Sequence, residues 1–164
     1  MSRPKPEIPL MPADRAINAV GWAGVALLLG FTLYYYPMLP EIIPHHFDAA
    51  GQPDSFGDKK IILVLPAIGV LLFIFMQYLS RHPHTFNYNV PITEQNAQEQ
   101  YRIASRMIRS LAAFISCSFA YITYGTVQAA RERWDGLGTW FLPVFLVLIF
   151  GLIGYFLWRS QRAA

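Results

Sequence analysis

Four stretches of this chain, residues 16–36, 61–80, 107–129 and 138–158, run for about 20 residues each without an acid, close to the length that carries a helix across ~30 Å of hydrocarbon. Only Arg109 is charged within them. Their apolar residues go all the way round the helical cylinder, so none reads as a helix half buried in a water-soluble core. Composition agrees: 54% of the 164 residues are hydrophobic and only 14% charged, more apolar than a soluble domain of this size. The expected fold class is therefore all-α, an integral membrane bundle of four transmembrane helices with a structured outer loop between the first two. The chain divides into a disordered Pro-rich tail (1–15), a transmembrane domain (16–158) and a short C-terminal tail (159–164). Within the domain the helices are expected at 16–36, 61–80, 93–129 and 138–158, and the outer loop at 37–60.

A cleaved signal peptide is the rival reading of the first stretch. Its apolar run is too long for that and ends in Tyr34-Tyr35-Tyr36-Pro37 rather than a small-residue cleavage site, so it is read as a retained span. Cys117 is the one cysteine; lying inside the third span, it is expected to pack as a small apolar residue. A formal net charge of +3 gives no support to nucleic-acid binding. The basic residues instead set the threading. Nine Lys and Arg fall in the two tails and the middle connection, against four in the first and third connections, which puts both termini in the cytoplasm and the 37–60 loop outside. Tyr34, Tyr35, Tyr36, Trp134 and Trp140 then fall at the outer interface, with Tyr155 and Trp158 at the inner one.

Helices in lipid meet where small residues allow close approach. Ala19, Ala23, Ala26 and Gly30 form one stripe on the first helix and are its expected contact face. Ala112, Ser116 and Ala120, extended by Thr123, form another on the third, while Gly151 and Gly154 thin the fourth. Pro66 and Pro143 are expected to interrupt the second and fourth helices. No acid, Lys or His accompanies them in mid-membrane, which argues against a proton-driven pump. Thr93 is the expected N-cap of a helix that continues into the third span. Along it Arg102, Arg106 and Arg109 follow at spacings that make a basic edge, an expected contact for anionic lipid or a cytoplasmic protein.

The loop at 37–60 is far longer than a connection requires. Asp48 with Gly51, and Pro53-Asp54 with Gly57, are two turn signals, and Phe47 and Phe56 are expected to anchor the loop on the helix ends. The run "IPHHFDAAGQPDSFGDK" resembles the signature of the DUF1648 family, which also forms the N-terminal part of the Sdp-type immunity membrane proteins. The matching positions are Ile43, Pro44, His46, Phe47, Asp48, Gly51, Pro53, Asp54, Gly57 and Lys59. The helix at "ITEQNAQEQYRIASRMIR" is similar to the family's helix after the second span. The resemblance implies a multi-span protein of the bacterial cytoplasmic membrane, in some members conferring resistance to a secreted peptide toxin. The immunity proteins carry a further C-terminal set of spans with its own motif, which is not found in these 164 residues.

His45, His46, Asp48, Asp54 and Asp58 supply nitrogen and carboxylate groups, but their spacing matches no metal motif, so no metal and no cofactor is expected. His46 is the better ligand candidate because it belongs to the family pattern; its alternative role is to hold the loop together, with the acids pinning turns. Ser55 alone in the loop could act as a nucleophile, and no oxyanion donor is recognisable, so no enzyme and no catalytic residue is expected. The candidate ligand-binding residues are His46, Phe47, Asp48, Gly51, Pro53, Asp54, Gly57 and Lys59. The function expected is recognition, by the outer loop, of a secreted peptide or an envelope component, in protection or sensing. A small transporter or permease subunit and an accessory subunit of a larger membrane complex are the alternatives.

Overall fold

The computed structural model describes residues 6–164. Helix α1 (Pro12–Tyr35) ends in a 3-10 turn, Tyr36–Met38. Strands β1 (Ile42–Phe47) and β2 (Pro53–Asp58) follow, and a 3-10 segment, Lys59–Leu63, leads into α2 (Val64–Leu79). After a connection containing a 3-10 turn at Pro83–Thr85 come α3 (Ala97–Ala130) and α4 (Phe141–Arg162). Four stretches, Pro12–Met38, Lys59–Leu79, Ala97–Ala130 and Phe141–Arg162, are long and apolar enough to cross a membrane.

The two strands correct the all-α expectation. They pair antiparallel as a two-stranded sheet, although both contain proline. A two-stranded ribbon has only edges, so each strand has residues whose N–H faces away from its partner, and proline is tolerated there. The helix boundaries also shift. Asp14 accepts a hydrogen bond from the Met11 N–H at 3.0 Å and closes a first turn at Pro12, inside the stretch expected to be disordered. Residues 6–11 have no regular structure, and the expectation for residues 1–5 lies outside the described residues. At α3 the N-cap is Asn96, not Thr93. Thr93 and Asn96 exchange side-chain hydrogen bonds of 2.9 and 3.2 Å, which makes a turn that precedes the helix. Pro66 and Pro143 do not break their helices: each is the third residue of α2 or α4, where the N–H has no intrahelical acceptor to lose.

Helix α3 is the one against which the others lie, contacting α1, α2 and α4. Its stripe of Ala112, Ser116, Ala120 and Thr123 is buried. The stripe proposed for α1 is not: Ala19, Ala23, Ala26 and Gly30 are exposed. The buried face of α1 is Asp14, Gly21, Gly24, Val25, Leu28 and Thr32, almost opposite on a cylinder of 3.6 residues per turn. Gly24 sits on the α3 backbone, where an added Cβ would lie 2.6 Å from Ser116 Oγ and 2.8 Å from Cys117 N. Ser116 Oγ, 3.1 Å from the Gly21 carbonyl, donates across this seam. The cluster of Val25, Phe73, Met76 and Ala112 fills the space between α1, α2 and α3. Helix α4 is peripheral, with Phe156 its one buried residue. Its ties to α3 include Phe145 against Phe114, with ring centroids 5.2 Å apart, and Ser160 Oγ on Gln100 Oε1 at 2.6 Å.

Gly24→Ala is expected to cost about 1–3 kcal/mol, because the neighbouring α3 backbone cannot yield to the methyl group. Gly30→Ala meets nothing within 4 Å and should leave stability unchanged. Thermal unfolding of the two variants in a neutral detergent separates the α1 faces.

Candidate functional site

The loop at 37–60 is a hairpin fixed from below by Ile43. This side chain is fully buried with Leu39, Ile62 and Val127 at the ends of α1 and α3, a burial worth about 1.5–3 kcal/mol. The expected anchors are different: Phe47 is half-buried, and Phe56 is 60% exposed. Pattern alone did not separate them, because β1 reads Ile-Ile-Pro-His-His-Phe and only the packing selects Ile43.

Most of the candidate ligand residues hold the hairpin's shape. Asp48 Oδ1 accepts from the N–H groups of Ala50 and Gln52 at 2.9 and 2.8 Å, the local capping that lets Asp start a turn. Gly51 takes φ +76° in that turn, and an added Cβ would lie 2.6 Å from the Gly138 carbonyl oxygen. Pro53 opens β2 opposite Phe47. Gly57 faces the His45 ring, which an added Cβ would approach to 3.0 Å. Lys59 Nζ pairs with Glu41 Oε1 at 2.9 Å, and Asp58 caps the following 3-10 segment by accepting from the Lys60 N–H at 2.8 Å. Glu41, Asp48 and Asp58 are thus each engaged in building the loop.

The exception is the pair His46–Asp54. The register runs Pro44 opposite Phe56, His46 opposite Ser55 and Phe47 opposite Pro53, which leaves His45 as an extra residue on β1 and Asp54 on β2. Such bulges re-aim side chains. His46 Nδ1 and Asp54 Oδ1 are 2.5 Å apart, with the side chains 65% and 44% exposed. The carboxylate holds the ring, and the other ring nitrogen, without a partner among the described residues, can meet a ligand. His45 is engaged elsewhere, its Nε2 3.2 Å from Ser55 Oγ, so the loop's hydroxyl does not face the His46–Asp54 pair. Among the described residues, no group of three or more His, Cys, Asp or Glu converges.

Sequence reasoning missed the clamp on this hairpin. In the α3–α4 connection, the Leu137 N–H donates to the Gly51 carbonyl at 2.8 Å, and the Leu137 carbonyl accepts from Tyr121 OH at 2.9 Å. Gly136, at φ +151°, and Gly138, at +86°, form the tight contact with Gly51. The Gly-Leu-Gly run was visible in the sequence, but nothing in it named the partner.

The three arginines of the expected basic edge have separate contacts. Arg102 pairs with Glu99 at 2.7 Å, and Arg159 reaches the same carboxylate at 3.2 Å. Arg106 holds both oxygens of Asp14, at 2.7 and 3.2 Å, tying the start of α1 to α3. Arg109 is 7% exposed and faces inward, onto a cavity between the helices.

With four helices of spanning length and composition, the chain is a multi-pass membrane protein. Residues 23–70, from the second half of α1 through the hairpin into the first half of α2, match the family model described as "Domain of unknown function (DUF1648)". A 60-residue stretch is 40% identical to an "Uncharacterized protein" of Archaeoglobus fulgidus, covering 37% of this chain and 33% of that protein. The chain thus matches about a third of its relative's length. No solved structure matches the chain.

Gly136→Ala places a methyl group against the Gly51 carbonyl oxygen and should release the clamp at a cost of about 1–3 kcal/mol. Amide exchange at Gly51 and Gln52 is expected to quicken while α1–α3 protection stays unchanged. Asp14→Asn weakens the Arg106 pair; because Arg106 is partly exposed, the expected loss is about 2–3 kcal/mol, at or below the low end for a fully buried pair. Unfolding of Asp14→Asn, Arg106→Gln and the double variant checks the coupling.

Proposed function

We propose that the protein is a four-helix bundle of the bacterial cytoplasmic membrane, with both termini cytoplasmic, whose hairpin recognises a secreted cationic peptide or an envelope component, in protection or sensing. The observation that carries this reading is the division of labour in the hairpin. Asp48, Gly51, Pro53, Gly57 and Lys59 are used to build it, whereas the His46–Asp54 pair and Phe56 are presented outward. An exposed aromatic ring on the same strand as the Asp54 of an oriented His–Asp pair is the kind of mixed surface that binds a peptide with little ordering cost. Glu41 and Asp58 remain 80% and 59% exposed at their side chains and add negative potential that attracts a cationic partner. Clamping of the hairpin by the α3–α4 connection supports a role in which binding is felt by the helices. The transporter alternative lacks such support, since Val25, Phe73, Met76 and Ala112 fill the space where a polar path would run.

Two measurements test the proposal. With Cys117 replaced by Ser, a Ser55→Cys variant should react with a membrane-impermeant maleimide in intact cells; labelling only after lysis reverses the orientation. A host carrying His46→Ala with Asp54→Ala should lose survival against envelope-active peptides towards that of a deletion strain. Wild-type survival in that host, beside a sensitive deletion strain, removes the pair from the role.

A further inference from the structure

At the end of the helices away from the hairpin, a cavity of about 360 Å³ opens between α1, α2, α3 and the segment before α1. Asn18, Gln77, Arg81, Tyr101, Ser105 and Arg109 line it. We propose that this cavity is a binding site for a phosphate-type oxyanion, carried on a lipid headgroup or a soluble phosphate, with Arg109 as its central ligand.

Arg109 is 7% exposed, and its nearest acid is Asp14 at 4.0 Å. That carboxylate is already taken: Arg106 holds both its oxygens, and the Met11 N–H adds a third bond. Asp14 can therefore offset one guanidinium, and Arg109 is the second. Among the described residues Arg109 makes no hydrogen bond through its side chain, and neither does Arg81, which lines the same space. A buried guanidinium without an acceptor is costly, and its planar fork of donors fits a phosphate or carboxylate.

The neutral lining also favours an anion. Tyr101 is 1% exposed, yet its hydroxyl has no partner among the described residues. Ser105, also 1% exposed, brings a second hydroxyl. Gln77 Nε2 donates to Asn18 Oδ1 at 3.3 Å, which leaves the Asn18 amide N–H groups to donate further. Two cations, two hydroxyls and an amide thus converge on one space. The acid on its wall is Glu7, which is exposed on the segment before α1 and makes no ion pair among the described residues. The volume suits a phosphate group with part of what bears it. None of these residues belongs to the hairpin, so the site is independent of the function proposed above.

The test uses the full chain in a neutral detergent. Binding is read as the rise in melting temperature on titration with inorganic phosphate, at ionic strength matched with sodium chloride, and separately with phosphatidylglycerol against phosphatidylcholine in mixed micelles. Stabilisation by phosphatidylglycerol alone identifies a lipid headgroup; stabilisation by inorganic phosphate identifies a soluble ligand; either supports the site. Arg109→Gln should weaken binding about tenfold or more, the worth of one charge-assisted hydrogen bond, while Arg102→Gln, outside the cavity, leaves it unchanged. If Arg109→Gln does not fold, Arg81→Gln and Tyr101→Phe carry the same comparison. No stabilisation of the wild-type protein by either source, or equal stabilisation of the cavity variants, overturns the proposal.

Discussion

The fold depends on the close approach of α1 to α3. In lipid no hydrophobic driving force pushes two apolar helices together, so association rests on packing and on the few polar contacts made across the seam. Gly24 lets the backbones approach, Gly21 makes room for the Phe73 ring of α2, Ser116 donates across the gap, and the ends are fastened differently. At one end Arg106 grips Asp14; at the other Ile43 of the hairpin is wedged with Leu39 and Val127. Both fastenings place an α1-side group against α3, and together they fix the rotation of α1. That rotation decides which residues line the cavity around Arg109.

The hairpin shows how a motif can be mostly architecture. Turn, bulge and cap account for Asp48, Gly51, Gly57 and Asp58, and the Lys59–Glu41 pair closes the base of the ribbon. The two bulges, at His45 and Asp54, swing His46 and Asp54 into one exposed pair. Because Leu137 and the glycines beside it bind the hairpin's turn, a ligand on the ribbon meets a surface already ordered, and displacing the turn would disturb the connection into α4. Helix α4 is otherwise tied to α3 by ring contacts such as Phe145 on Phe114, by the Arg159–Glu99 pair and by the Gln100–Ser160 contact.

The charged side chains of α1 and α3 are gathered at the end opposite the hairpin. Asp14, Asn18, Gln77, Gln100, Ser105, Arg106 and Arg109 all lie there, whereas Val25, Phe73 and Met76 fill the middle. This segregation follows from the cost of burying polar groups without partners. Near the helix ends they can share partners, and Asp14 serves Arg106, the Met11 amide and, at 4.0 Å, Arg109.

Much was legible from the chain alone. The four spans follow from uninterrupted apolar runs, since a segment with no polar face cannot be solvated by water. The turn at Asp48–Gly51 follows from residue chemistry that acts over four positions, and the buried stripe on α3 from its small residues. What only the tertiary structure decided were matters of partner and rotation. The small-residue stripe of α1 pointed to the wrong face, because an exposed alanine and a packed one look alike in sequence. The strands were hidden by prolines that a two-stranded ribbon tolerates. The clamp of Leu137 on Gly51, the inward turn of Arg109 and the choice of Ile43 over Phe56 as anchor join residues far apart in the chain. Local pattern fixes what a segment can become, but the mate of each buried group is chosen by the packing of the whole.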